Sequence, residues 1–462
     1  MADYDWVILG GSLAGQEAAK LAALRGARVA LVLENGDPSP PVTTPESLRW
    51  FYADAQRVAR SPNVAPLDWC AFQAQAALVH ENSALHTPTQ LMMAGVDVIW
   101  GEPTLTSGCR VYVNDRCLTT RKLLIALAGE WFPPDIPGIV AVSCLTPASL
   151  AALKTLPKSL LLLGSSPLAL EIAQALAQWG VAITLLTPAP QLLPAEESMV
   201  SDWVAAELRA AGVHLHLGCQ PTSVTVDAAG FSVHTEADRW TADQIVLGTV
   251  PRPRLSGLNL ASLGVPGDRL AVNAYLQTRH PDIYACGSAV GSDLPVVARH
   301  QAEVAVNNAL LWNRQRVCYE QLPYTLLTQP EFCRVGLTMA EAEQRYGAHK
   351  VVIYEQILDR NRKAQALGNP TGFCRFVTRR NGQLLGAHIV GLQASEWGQV
   401  MAIALKHRLT VQELANLPTA PQTLTDMLRQ TVAQWESDRW RPGQWRRDWA
   451  ENWFNWRRSK RR

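Results

Sequence analysis

Apolar positions in the first third of the chain come in short solid runs separated by helical spacing. Residues 5–9 (Asp-Trp-Val-Ile-Leu) predict a short strand buried on both faces, because the run is nearly continuous rather than alternating. Gly10-Gly11-Ser12-Leu13-Ala14-Gly15 follows as a tight turn. An Ala-rich helix over 16–24 ends at Gly26, and 27–33 forms a second buried strand that stops at Glu34. The same order recurs further on. Residues 160–163 read as a strand, 164–169 as a turn, 170–178 as a helix stopped by Gly180, and 182–186 as a strand. Stretches near 213–217, 224–226 and 231–235 alternate like a small meander, and 323–433 reads as a further α+β block. Pro442-Gly443 breaks the chain before a tail rich in Trp and Arg.

Two strand-turn-helix-strand units predict two dinucleotide-type folds. Such a fold needs a tight turn so that a pyrophosphate can rest on a helix N-terminus, where free N–H groups and the helix dipole favour anions. In the first unit Gly10 and Gly15 take the first and third glycine positions and Ser12 the second. Glu34 lies 19 residues after Gly15, where an acid would accept from ribose hydroxyls. In the second unit Gly164, Ser166 and Ala169 take the three positions, and Pro167 stiffens the turn.

Composition bounds the rest. A chain of 462 residues is too long for one core and implies about three domains. Hydrophobic residues at 48% and charged residues at 18% are ordinary for a soluble globular protein. The first residues carry acids where a leader would carry bases, and the most apolar stretch, 160–179, is interrupted by Ser165, Pro167 and Glu171. These features imply a soluble, cytoplasmic protein. Nine cysteines are scattered with no two closer than eight positions, which excludes a Cys-x-x-Cys redox or zinc motif; free buried thiols and no metal site are expected.

Individual segments resemble the FAD-dependent pyridine nucleotide-disulfide oxidoreductase family, which includes glutathione reductase, lipoamide dehydrogenase and mercuric reductase. The opening unit resembles the family's FAD half. A second family segment, Tyr-Ala-x-Gly-Asp, has its counterpart in Tyr284-Ala285-Cys286-Gly287-Ser288, with Ser288 in place of the aspartate that bonds the ribityl chain. The Ala-Thr-Gly turn is similar to Ala126-Leu127-Ala128-Gly129. The likeness runs over 5–433 and is strongest at 322–347, with Pro323, Pro330 and Val335-Gly336-Leu337-Thr338, and again at 385–391. It implies FAD held by Gly10, Ser12, Gly15, Glu34, Gly129, Gly287 and Ser288. It implies NAD(P)H at Gly164, Ser166, Ala169 and Glu171, and a homodimer. Thr187 and Pro188 stand where the family carries an acid for NAD or arginines for NADP.

The family's chemistry is another matter. Its paired cysteines should follow the second strand, yet residues 36–47 contain none and the first cysteine is Cys70. Without a thiolate pair no disulfide can be attacked. If Pro45 matches the family's proline after the second cysteine, Glu46 falls where a lysine would be and sets a like charge against Glu171. The family's His-Pro-Thr-x-x-Glu stretch supplies a general acid and the group that orients it. Here it reads Leu417-Pro418-Thr419-Ala420-Pro421-Gln422. These losses exclude disulfide and mercuric ion reduction as the expected activity.

Charge is segregated. Residues 439–462 hold nine basic and two acidic residues, a net +7, so the remainder carries −5. An acidic body argues against nucleic acid as partner. Trp445, Trp449, Trp453 and Trp456 fall within a stripe roughly 80° wide on a helix, with Arg447, Arg458 and Arg462 opposite. Such a tail suits a membrane surface, a protein partner or a dock on the protein's own dimer.

The expected fold is α/β, with two doubly wound, Rossmann-like nucleotide-binding domains and an α+β dimerisation domain. The FAD-type domain spans 1–150 and 254–322, the NAD(P)H-type domain 151–253, the interface domain 323–433 and the tail 434–462. Two functional readings stand. One is an FAD oxidoreductase passing electrons to a quinone or protein acceptor; the other is an inactive dimeric scaffold whose tail recruits a membrane or partner.

Overall fold

The computed structural model describes residues 2–34, 45–59, 68–83, 87–106, 110–227, 230–260, 270–292, 294–311, 314–418, 420 and 422–460. They form two compact units. The first comprises Met1–Pro194 with Ser201–Tyr319, the second Ala195–Val200 with Glu320–Arg462.

The first unit contains two parallel sheets. In the larger, strands Val96–Trp100, Val29–Leu33, Tyr4–Leu9 and Arg116–Ile125 lie side by side in that order, all parallel, with Ile283–Ala285 next to the last. An antiparallel ribbon, Arg110–Val113 and Pro103–Thr106, extends one edge. Strand Val29–Leu33 is buried at every position, as its solid Val-Ala-Leu-Val-Leu run requires. Helix Leu13–Leu24 packs on helix Pro295–Leu310 through Ala14, Ala18, Ala19 and Ala22, small side chains that let the elements approach closely.

In the smaller sheet, strands His214–Leu217, Ala182–Thr187, Ser159–Leu163 and Gln244–Leu247 are parallel neighbours. Helix Pro167–Gln178 is buried from Leu168 to Leu176 and packs against helix Pro45–Ala59. The meander expectation needs a correction. Residues 214–217 follow helix Ser198–Ala210, and a crossover helix returns the chain parallel to strand Ala182–Thr187. The antiparallel meander is Ser223–Asp227, Gly230–His234 and Arg239–Ala242.

The second unit is a five-stranded antiparallel sheet ordered Tyr324–Leu326, Glu331–Gly336, Leu384–Gly391, Phe373–Arg379 and Val351–Ile357. Helices Ala394–Lys406 and Asp426–Arg439 supply Trp397, Met401, Met427 and Trp435 to its core. Residues 195–200 join this unit through two acids: Glu196 accepts from Arg334 Nε at 2.7 Å, and Glu197 pairs with Arg375. The doubly wound sheets and the α+β block agree with the expected fold class.

Strand Leu384–Gly391 is buried throughout, which places the His388 imidazole inside. Its Nε2 lies 3.3 Å from the Leu337 carbonyl and 3.9 Å from Glu197, and Nδ1 has no partner among the described residues. Burial holds its pKa down to about 4 against the pull of Glu197, while Arg334 and Arg375 push the same way as burial. The unfolded chain therefore takes up this proton first as pH falls. The stability contributed is full above about pH 6.5 and declines toward the folded value of about 4, by up to roughly 3 kcal/mol. We expect His388→Gln to flatten the fall in thermal midpoint between those limits. An unaltered slope would show that His388 is not the buried base.

Candidate functional site

The carboxyl ends of three neighbouring strands converge on the first turn. Gly10 follows Tyr4–Leu9 with φ +107°, and a Cβ there would sit 2.5 Å from Leu127 Cα. A Cβ on Gly15 would sit 2.3 Å from the Gly10 carbonyl oxygen, so helix Leu13–Leu24 can start this close to the sheet only without a side chain. Ser12 caps the helix. Its hydroxyl donates to the Ala126 carbonyl at 2.6 Å and accepts from the Gly15 N–H at 3.3 Å. The side chain is thereby drawn toward the Ala126 carbonyl and the helix start. The N–H groups of Leu13 and Ala14 have no partner within the helix and remain as anion donors.

Gly287 and Ser288 arrive at the end of strand Ile283–Ala285. A Cβ on Gly287 would lie 3.1 Å from Ala14 Cβ and 3.8 Å from Ser12 Oγ. A Cβ on Gly129 would lie 3.3 Å from Ser288 Cβ and 2.8 Å from Pro251 Cβ. Six of the seven residues expected to hold FAD therefore line one glycine-walled cradle.

Glu34, the seventh, stands at the end of strand Val29–Leu33. Arg254 Nη2 donates to it at 3.2 Å, and Arg254 Nε faces Glu130 at 3.4 Å. Sequence reasoning missed Arg254. It lies 220 residues from Glu34, beside the short pairing of Arg252–Pro253 with Gly129–Glu130. No local pattern marks it.

The second turn has the same construction. Gly164 has φ +112°, and a Cβ there would meet the Gly248 carbonyl at 2.7 Å. Ser166 caps helix Pro167–Gln178, accepting from the Ala169 N–H at 3.3 Å. Ala169 is buried and close to Gly248. Thr187, where a charged group for NAD or NADP would stand, is buried, with Ser165 Oγ 3.0 Å from its hydroxyl. The residues that form the turn come together, while the position that reads the ribose offers no charge.

Glu171 is fully buried on the helix that follows. Arg49 Nε donates to both its carboxylate oxygens at 3.1 Å, and Nη2 donates to Oε1 at 2.5 Å. Gln56 Nε2 donates to the Glu171 carbonyl at 3.1 Å. Arg49, on helix Pro45–Ala59, thus supplies an opposite charge to Glu171. Burial makes such a partner necessary, because an unpaired carboxylate would lose its water. The side chain of Glu46 and residues 36–44 of the loop lie outside the described residues.

No described cysteine is paired with another. Burial pushes the Cys286, Cys333 and Cys374 thiols up to about 12, so none is a thiolate near neutral pH. Leu417, in place of the family histidine, is exposed, and Gln422 has φ +62°; Thr419 and Pro421 lie outside the described residues. A cleft of about 880 Å³ lined by Asp5, Arg25, Lys122 and Asn308 opens at the amino ends of the same strands, away from the glycine cradle. Among the described residues no group of His, Cys, Asp and Glu is placed to hold a metal ion, and no helix is long and apolar enough to cross a membrane.

Comparison with known proteins agrees with this geometry. The chain is 28% identical over 353 residues to mercuric reductase of Staphylococcus aureus, covering 74% of this chain but only 64% of that protein. It is 27% identical over 445 residues to glutathione reductase of a Nostoc species, covering 89% and 95%. The HOCl-induced flavoprotein disulfide reductase RclA of Escherichia coli has the same fold, with a TM-score of 0.82 at 20% identity over 93% of this chain and 99% of that one. The family model for the dimerisation domain of pyridine nucleotide-disulphide oxidoreductases matches residues 322–432 and supports a homodimer. The model for pyridine nucleotide-disulphide oxidoreductases matches residues 4–309, and the chain belongs to that family.

Proposed function

We propose that this protein is an FAD-binding oxidoreductase that works without a disulfide and passes electrons from a nicotinamide cofactor to a quinone or protein acceptor. Family members bind FAD and use NAD(P)H as electron donor. The observation that carries the reading is the cradle of Gly10, Gly15, Gly129 and Gly287, whose missing Cβ atoms leave backbone bare at a helix N-terminus. In it the turn and Ser12 would seat the pyrophosphate, Ser288 would offer a hydroxyl to the ribityl chain, and Glu34 would accept from the ribose. FAD, when bound, supplies the redox chemistry itself. The acting domains are 1–150 with 254–322 for FAD and 151–253 for NAD(P)H through Gly164, Ser166, Ala169 and Glu171. Residues 323–433 form the interface domain. The setting is cytoplasmic.

The purified protein should show flavin absorbance at about 450 nm and oxidise NAD(P)H with a quinone, yet reduce neither glutathione, lipoamide nor mercuric ion above free flavin. Glu34→Ala should weaken flavin binding by about tenfold or more, the loss of one charge-assisted hydrogen bond. Full occupancy in that variant would remove Glu34 from the site, and disulfide turnover would overturn the reading.

A second reading is favoured by Thr187 and by the Arg254 clamp on Glu34: a catalytically inert dimeric scaffold whose tail engages a membrane surface or a partner protein. A flavin-free, NAD(P)H-inert protein would select it.

A further inference from the structure

The family models end at residue 432, and the last helix, Trp445–Ser459, lies wholly beyond them. None of its residues is buried. Trp445, Trp449, Trp453 and Trp456 are 70%, 64%, 43% and 46% exposed. An exposed indole strip of this size needs a covering surface to avoid self-association.

The side chains indicate which surface. Trp449 and Trp453 stack at 6.2 Å and Trp453 and Trp456 at 4.9 Å, making one continuous band. Arg446 lies over the Trp445 ring and Lys460 over Trp456. By helical geometry Lys460 falls within the band, Arg446 and Arg457 flank one edge, and Glu451 lies on the opposite face. Cations beside indoles suit the headgroup layer, where ring bodies sink and charged tips reach outward. Nucleic acid would meet no wider basic surface, because the rest of the chain carries −5. A second copy of the tail would bring another +7 against the first, with no acidic face to meet it. A helix of 15 residues is roughly 22 Å long, short and polar enough to lie on a bilayer but not to cross it.

We infer that residues 439–462 dock the protein onto the anionic face of a lipid bilayer, with helix Trp445–Ser459 lying in the headgroup plane. The inference deepens the tail's part in the second reading above, and it holds whether or not flavin is bound. Its test reads vesicle binding rather than flavin, so the two can fail separately.

Full-length protein should co-sediment with vesicles containing phosphatidylglycerol at least about tenfold better than with pure phosphatidylcholine vesicles. Raising salt should weaken the association only partly, since indole burial does not depend on screening. Trp449→Ser with Trp453→Ser, and separately Arg446→Glu with Arg457→Glu, should each abolish binding while the homodimer keeps its elution volume. Those two variants keep the inference testable if removal of 439–462 harms folding. It is overturned if full-length protein ignores anionic vesicles at low salt, or binds a single-stranded oligonucleotide in preference to them. Dissociation of the dimer by the Trp changes would also overturn it, by assigning the band to the subunit interface.

Discussion

Replacing Arg49 with methionine should lower stability by about 3–5 kcal/mol, the cost of leaving a buried charge without its partner. Glu171 is fully buried and Arg49 nearly so, between helices Pro45–Ala59 and Pro167–Gln178. Glu171→Leu should be damaging for the mirror reason, since it takes the buried carboxylate away from the guanidinium. The double variant, Arg49→Met with Glu171→Leu, should recover most of the loss, because two apolar groups of similar volume need no compensating charge. Thermal unfolding followed by circular dichroism would measure all three against the parent. Single variants that unfold at the parent's midpoint would show that the pair is hydrated rather than buried.

A methyl group on Gly15 should be nearly as harmful and should also empty the flavin cradle. The added Cβ would sit 2.3 Å from the Gly10 oxygen and 3.2 Å from Ala126 Cβ, so the helix must move off the sheet that positions its N-terminus. Overpacking of this kind costs about 1–3 kcal/mol or more. Gly26→Ala is the control. Gly26 has φ +86° but nothing within 4 Å of an added Cβ, so it should cost only about 1–2 kcal/mol of backbone strain. Gly15→Ala should lose flavin while Gly26→Ala keeps it, as read by flavin released per chain. Equal flavin content in the two would mean that the cradle does not bind through this turn.

Much of this was legible in the sequence, for a local reason. Solid apolar runs at 5–9, 27–33 and 160–163 specify strands covered on both faces. Glycines at 10, 15 and 164 mark where backbone must touch backbone, and spacing places Glu34 at a strand end. The sequence likewise shows no cysteine in residues 36–47, and Leu417 and Gln422 where the family carries a general acid and the group that orients it. The tail's stripe followed from helical periodicity alone.

What the sequence left open depended on partners distant along the chain. Residues 213–217 alternate like a meander strand, but alternation gives no direction. Only the preceding helix and its packing set the strand parallel to Ala182–Thr187. Arg254 reaches Glu34 across 220 residues, and Arg49 reaches Glu171 across 122. Side-chain charges pair according to which surfaces meet after folding, and burial of Glu171 decides that one must be found. The serines show the same division. Sequence placed Ser12 and Ser166 at the middle positions of the two turns. Tertiary structure turned both hydroxyls into helix caps, because the nearest unsatisfied N–H groups lie within the turn itself.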